Sequence, residues 1–290
     1  RPLRRRRPGT PRRAAAPASQ KPATDAGQIG SALLDDAAAV DARARSTGTT
    51  GLAVVAARAR RVVAVVGTGR VGAVAVDVLA ASGVGTLLLD DPREVLPTGV
   101  GVGGLREHQV GRRWDDALRD AVVLRRRGTR VGDAEHHSPD VVVLVVEEGV
   151  GVLRTARLVA EGVPHLVVTV TVWGAVVGPF VLPGCTACVR CVELQVDARG
   201  RLADEGARTA TGQGSPEAVG AGRLPQTSAV AATAGALVAA EVVAYLDGRR
   251  PATAGASIDV ETLDAVPRLR GWSVHPRCGC TEMGVLAPGC

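Results

Sequence analysis

The stretch "VVGTGRVGAVAVDVLAASGVGTLLLDD", residues 65–91, constrains the fold more than any other part of the chain. A β-branched run over 61–66 has the length of a strand and stops at glycine, which reads as a buried parallel strand. Gly67, Gly69 and Gly72 follow as GxGxxG. The first glycine allows a tight turn, the second lets a phosphate approach the backbone, and the third lets the next helix pack on the strand. Val71, Val74, Val78 and Leu79 then keep helical spacing over 70–81, so the helix aims its N-terminal N–H groups at an anion. A second strand over 86–89 ends at Asp90, 18 residues beyond Gly72. That is about where a dinucleotide fold places an acid on the ribose hydroxyls. The plain alternative is a glycine turn in an ordinary βαβ unit.

A second apolar unit repeats the pattern. "PDVVVLVVEEGV" holds a buried strand over 141–146 that ends in Glu147 and Glu148, followed by a helix over 151–160 and another strand in "HLVVTVTV". Strand, helix, strand twice over implies an α/β fold with a Rossmann-like, mainly parallel sheet and helices on both faces. Acids at the carboxyl end of such a strand reach the crevice where α/β sheets bind ligands. Glu147 or Glu148 there suits a magnesium ion or a substrate amine, or serves only as a loop acid. "LPQTSAVAATAGALVAAEVVAYLDG" reads as a helix of small residues, and "SIDVETLD" as a late strand.

A chain of 290 residues with 46% hydrophobic content has enough apolar matter for a large core, and with five aromatic residues that core is Val, Leu and Ala. The net charge of +6 is misleading: residues 1–21 carry +8 and no acid, so the remainder sums to −2. The basic character belongs to a Pro- and Arg-rich tail over 1–27, expected to be disordered, and argues against a nucleic-acid-binding face on the folded body. Residues 28–60 read as Ala-rich helix, 197–223 as a mobile crossover, and 283–290 as a tail. No apolar run reaches the roughly 20 residues that span a bilayer, and no h-region follows the arginines, so a cytoplasmic protein is expected.

The cysteines point to a metal. Cys188 and Cys191 form CxxC in "PGCTACVRC", and Cys278 and Cys280 form CxC in "HPRCGC". Two close pairs far apart in sequence suit one tetrahedral zinc with four thiolates, tying the C-terminal segment to the middle of the chain. Cys185 and His275 are further possible ligands, and disulfides or unrelated thiols are the alternative.

This order of parts resembles the ThiF/MoeB-like adenylyltransferases, relatives of ubiquitin-activating enzymes, over about residues 60–282. It is most similar to shorter actinobacterial forms with endings like "HPRCGC". The resemblance implies magnesium-ATP in the glycine-loop crevice, structural zinc, a homodimer, and adenylation of the C-terminal carboxylate of a sulfur-carrier-like protein or precursor peptide. Carried over, Gly67, Gly69 and Gly72 cradle phosphate, Asp90 binds ribose, and Cys188, Cys191, Cys278 and Cys280 bind zinc.

Three departures touch catalysis. Where the family has SNLxRQ this chain has "PTGVGVGGLREHQ", leaving Arg106 as the arginine candidate. Where it has the lysine of VGRxKxE, "VGRRWDD" places Trp114, leaving Arg112 or Arg113 to supply charge. Where it has an ATDN-like aspartate, "VVEE" offers Glu147. These positions would neutralise charge as pyrophosphate leaves. Two other readings stand beside an adenylating enzyme: a catalytically weakened scaffold that presents a peptide, which Trp114 favours, and an NAD-dependent oxidoreductase, favoured by GxGxxG and Asp90. His108, His136, His137 and His165 show no proton-relay spacing.

Overall fold

The computed structural model describes residues 33–43, 50–125, 128–132, 138–147, 152–197, 224 and 226–281. The basic tail, most of the crossover segment, the last residues with Cys290, and Glu148, His136 and His137 lie outside them.

Among the described residues, eight strands form one sheet. β1 (Val62–Val66), β2 (Thr86–Asp90), β3 (Arg130–Gly132), β4 (Val141–Glu147) and β5 (His165–Thr171) run parallel, while β6 (Gly174–Val181), β7 (Ala256–Glu261) and β8 (Pro267–Gly271) continue antiparallel, in the order β3-β2-β1-β4-β5-β6-β7-β8. The central strands are near-continuous Val and Leu runs because both faces are covered. Val63 and Val65 meet one helix layer and Ala64 the other. Helices are α1 (Leu34–Arg43), α2 (Gly51–Arg58), α3 (Gly69–Ala81), α4 (Trp114–Arg125), α5 (Val152–Ala160), α6 (189–197) and α7 (Ser228–Leu246).

Only small residues let α3 and α7 approach as they do. A Cβ on Gly235 would lie 2.5 Å from Val74 Cβ and 2.7 Å from the Val71 carbonyl oxygen. The helix α7 corrects the expectation of no long apolar run: its 19 residues are long and apolar enough to cross a membrane by composition, with 56% of the apolar window buried inside the fold. Its one acid, Glu241, is buried and accepts from the amide and hydroxyl of Thr253 at 2.7 and 2.5 Å. Thr227 caps its start, accepting from the Val230 amide at 3.2 Å.

The N-terminal helices dock through one buried cation. Arg58 in α2, 3% exposed, reaches Asp36 in α1 at 3.0 Å and Asp247 after α7 at 2.8 Å.

Antiparallel β6 and β8 were absent from the sequence reading. In β6, Gly174, Gly178 and Pro179 break the apolar pattern, and β8 is an exposed edge with no buried face to impose a period of two.

Candidate functional site

The glycine loop sits at the carboxyl end of β1. Gly67 and Gly69 have φ of 68° and 52°, conformations that favour glycine. A Cβ on Gly67 would also overlap the Val145 carbonyl oxygen of β4. A Cβ on Gly72 would stand 3.2 Å from Thr68 Cβ, a tight approach, and 3.5 Å from Val145 Cγ2, an ordinary contact with the sheet. The Gly67 amide donates to the Asp90 carbonyl at 2.9 Å, closing the loop onto β2.

Thr68 stands at the N-cap of α3 without capping it, because its amide and hydroxyl both donate to Asp91 Oδ2, at 2.7 and 2.9 Å. The first turn of α3 has no side-chain cap and no acid. Its amides are thus oriented as an anion site would need.

Of the aspartate doublet, Asp90 is exposed at the end of β2 and Asp91 is 1% exposed. Asp91 also takes Arg93 through Nε and Nη2, both at 2.8 Å. Burial raises the Asp91 pKa, but Arg93 and the Thr68 bonds overcome it and hold the carboxyl at about 2. Sequence reasoning missed both residues; the second acid of "DDPR" was the available signal. Arg93 is 47% exposed, with Nη2 4.0 Å from where a Gly67 Cβ would be. A guanidinium therefore faces the glycine loop from a neighbour in sequence to the ribose candidate.

The arginines expected at the site are divided. Backbone bonds zip 112–115 onto 91–95: Val95 N to Arg112 O at 2.8 Å, Trp114 N to Arg93 O at 2.9 Å, and Asp115 N to Asp91 O at 3.3 Å. This puts Arg113 within electrostatic reach of Asp90, but its fork already holds Asp115, with Nε to Oδ1 at 3.0 Å. Arg112 pairs with Asp120 at 2.7 Å. Arg106 is exposed, and its side chain makes no hydrogen bond or ion pair among the described residues; its amide donates to Gln109 Oε1 at 2.9 Å, and Gln109 Nε2 donates to Ala117 O at 2.8 Å, which fastens the turn to α4.

Trp114 is 0% exposed and packs in the main core over Gly99. It is a packing residue and brings no positive charge to the crevice. Glu147 is the last residue of β4, in register with Val170.

The four cysteines of the CxxC and CxC pairs meet. Their sulfurs all lie within 4.8 Å of one another, with Cys188–Cys278 at 3.4 Å, Cys191–Cys280 at 3.5 Å and Cys188–Cys191 at 3.9 Å. Four thiolates about 2.3 Å from one tetrahedral ion would be roughly 3.8 Å apart, so the cage fits zinc. Cys185 and His275 are not part of this group; His275 contributes its amide, which donates to Cys191 Sγ at 3.3 Å. Val159, Val181, Ala187 and Trp272 enclose the cluster. Burial pushes the Cys188 thiol up to about 11 and those of Cys278 and Cys280 to about 12. For Cys191, burial is outweighed by the His275 amide and the neighbouring sulfurs, which lower it. Such a set resists ionising together without a cation among the sulfurs.

These features define an α/β fold with a glycine-loop crevice at one end of its mainly parallel sheet and a cysteine cage late in the chain. E. coli MccB in a structure with ATP shares it at TM-score 0.64 and 19% identity, over 80% of this chain and 70% of MccB. The microcin C7 biosynthetic enzyme MccB in complex with N-formylated MccA matches at TM-score 0.65 and 18% identity, over 81% and 71%. PaaA matches at TM-score 0.57 and 18% identity, over 82% and 78%. No family model matches the chain, and no curated protein matches it.

Proposed function

We propose that the chain is an ATP-dependent adenylyltransferase of the ThiF type, close to the actinobacterial forms on its "HPRCGC" ending, that activates the C-terminal carboxylate of a precursor peptide. The observation that carries this reading is the Asp91 clamp, which fixes Thr68 inside the glycine loop and Arg93 beside it. It gives the crevice an amide cradle with the Arg93 guanidinium, itself paired with Asp91, beside it in one rigid unit. MccB structures with ATP and with MccA support the choice of nucleotide and peptide over NAD or a sulfur-carrier protein.

In this reaction a peptide carboxylate oxygen bonds to the α-phosphorus as the bond from that phosphorus to the bridging oxygen breaks. Pyrophosphate leaves with the electron pair, and an acyl adenylate forms. The protein's work is positioning and positive charge. Gly67 to Gly72 receive phosphate oxygens, Asp90 takes the ribose, and Arg93, assisted by Arg106, replaces the family lysine and arginine. Arg112 and Arg113 hold the start of α4 through their pairs with Asp120 and Asp115. Magnesium bound at Glu147 would shield the phosphate charge. Zinc in the cysteine cage would be structural, and a homodimer completes the proposal.

The pairing of Arg112 and Arg113 with carboxylates favours a second reading, a scaffold that binds nucleotide and peptide with little turnover. Peptide-dependent exchange of labelled pyrophosphate into ATP separates the two, using peptides encoded beside this gene. An enzyme exchanges label only with peptide present, and Arg93→Ala lowers the rate about 100-fold, as loss of one charge-stabilising donor does elsewhere. Peptide binding without exchange establishes the scaffold. Thermal stabilisation by NAD and not by ATP overturns both.

A further inference from the structure

A cavity of about 640 Å³ opens at the amino ends of the central parallel strands, the end opposite the glycine loop. Parallel strands β1, β4 and β5 all begin there, so Arg61, Asp140 and Pro164, each just before a strand, come together on one rim. The end of α7 supplies the facing rim with Tyr245, Arg249 and Arg250. Its volume falls in the range that holds metabolite-sized ligands, about 300–1,000 Å³.

Positive charge exceeds negative in this lining. Asp140 is the one carboxylate among the described residues of the lining, and it is occupied twice, by Arg61 Nη1 at 2.9 Å and by the Val62 amide at 2.8 Å. Arg249 reaches Asp247 only at 3.5 Å, and that acid is already bound by Arg58 at 2.8 Å through both oxygens. Arg250 makes no ion pair among the described residues; it spends one donor on the Ala254 carbonyl at 3.2 Å. Three guanidinium groups against one carboxylate leave an excess of two positive charges.

Nor do the arginine side chains close the helix. The last carbonyls of α7 are satisfied by backbone: Val243 by the Asp247 amide at 3.0 Å, Tyr245 by Gly248 at 2.9 Å and Ala244 by Arg249 at 2.9 Å. The helix dipole favours a cation at a helix C-terminus, but that requires neither a second arginine nor a cavity. Tyr245 adds a directed donor. Its ring is braced on Phe180, centroids 5.2 Å apart, and its hydroxyl makes no hydrogen bond among the described residues. Burial, with the charge of Asp140, raises its pKa and keeps the phenol protonated.

We propose that this cavity is a second ligand site, separate from the nucleotide cradle, that binds a small organic dianion between Arg61, Arg249 and Arg250. Guanidinium forks accept carboxylate and phosphate oxygens alike. Pro164, Leu182 and Pro251 offer an apolar wall to the body that joins the two charges.

Tyr245 is the only tyrosine in the chain, so 3-fluorotyrosine places a single fluorine resonance at the cavity. The labelled full chain is titrated with succinate in one arm and glycerol 3-phosphate in the other. Saturable movement of the resonance is expected in at least one arm, and the arm that saturates assigns the carboxylate or phosphate class. Arg250→Ala, an exposed substitution that spares the core, should weaken binding about 10-fold or more, as loss of a charged hydrogen-bonding partner does. Asp90→Ala, at the opposite end of the strands, should leave it unchanged. A resonance that moves with neither probe, moves without saturating, or moves equally in Arg250→Ala overturns the proposal.

Discussion

The Asp91 carboxylate accepts from both the amide and the hydroxyl of Thr68, at 2.7 and 2.9 Å, across 23 residues of sequence. One acid thereby ties the end of β2 to the turn between β1 and α3 and sets the shape of the crevice. Asp91→Ala would leave two buried Thr68 donors without their acceptor, at about 1–3 kcal/mol for each such group. A loss of about 3 kcal/mol in urea unfolding at neutral pH is expected, with weaker ATP stabilisation; a loss under about 0.5 kcal/mol, within the range of ordinary surface changes, would refute the clamp. The pH dependence has a definite sign. Because the folded pKa is lowered from 3.8 to about 2, the contribution is complete above the unfolded value and is lost as pH falls through 3.8 towards 2. Asp91→Ala should flatten the unfolding profile in that window.

His165 produces a second, separate acid slope. It is 0% exposed, and since the Val163 carbonyl can only accept, the 2.8 Å contact puts the proton on Nδ1. Burial lowers its pKa from 6.5 to about 4, with the Val163 bond opposing. Between those values the unfolded chain binds the extra proton, so stability falls as pH drops from 6.5 to 4 and does not fall further on this account below 4. The full effect is about 3 kcal/mol. In His165→Gln this part of the pH profile of unfolding free energy should disappear; an unchanged slope would show that another group titrates.

Trp114, standing where the resemblance expects a lysine, is fully buried in the core. Restoring the lysine by Trp114→Lys should therefore not raise pyrophosphate exchange. It should unfold the protein, because truncating a buried Trp already costs about 3–5 kcal/mol and an ammonium in the same cavity costs more. A folded, more active variant in circular dichroism and exchange assays would contradict this placement.

For the cysteine cage, the purified chain should hold about one zinc, the stoichiometry of a four-thiolate site. Chelation or Cys191→Ser should release it and lower the melting temperature sharply, since structural zinc contributes on the order of 10 kcal/mol. Elemental analysis that finds no metal in folded protein would remove zinc from the proposal.

Much of the sheet was legible in the letters. Runs such as Val141–Val146 and Leu87–Leu89 report double-sided burial, and the glycines of "GTGRVG" report the turn and the helix that follows. The spacing of Cys188, Cys191, Cys278 and Cys280 was sufficient to name the cage, because few arrangements bring two close pairs together. These signals are local: period, turn geometry and ligand spacing are properties of a short stretch.

What tertiary structure decided was direction and partnership. That Asp90 faces solvent and Asp91 the interior follows from the pleat of β2 and from Thr68 waiting on the far side of the turn. That Arg93 meets the glycine loop, while Arg112 and Arg113 are drawn off by Asp120 and Asp115, depends on the backbone pairing of 91–95 with 112–115. The reversal at β6 depends on pairing with β5 and β7, and the arginine-lined cavity assembles strand starts with a helix end distant in sequence. A sequence states which groups can bond or be buried, but the choice among them is made by packing, which brings distant polar groups within reach and leaves each the partner that geometry allows.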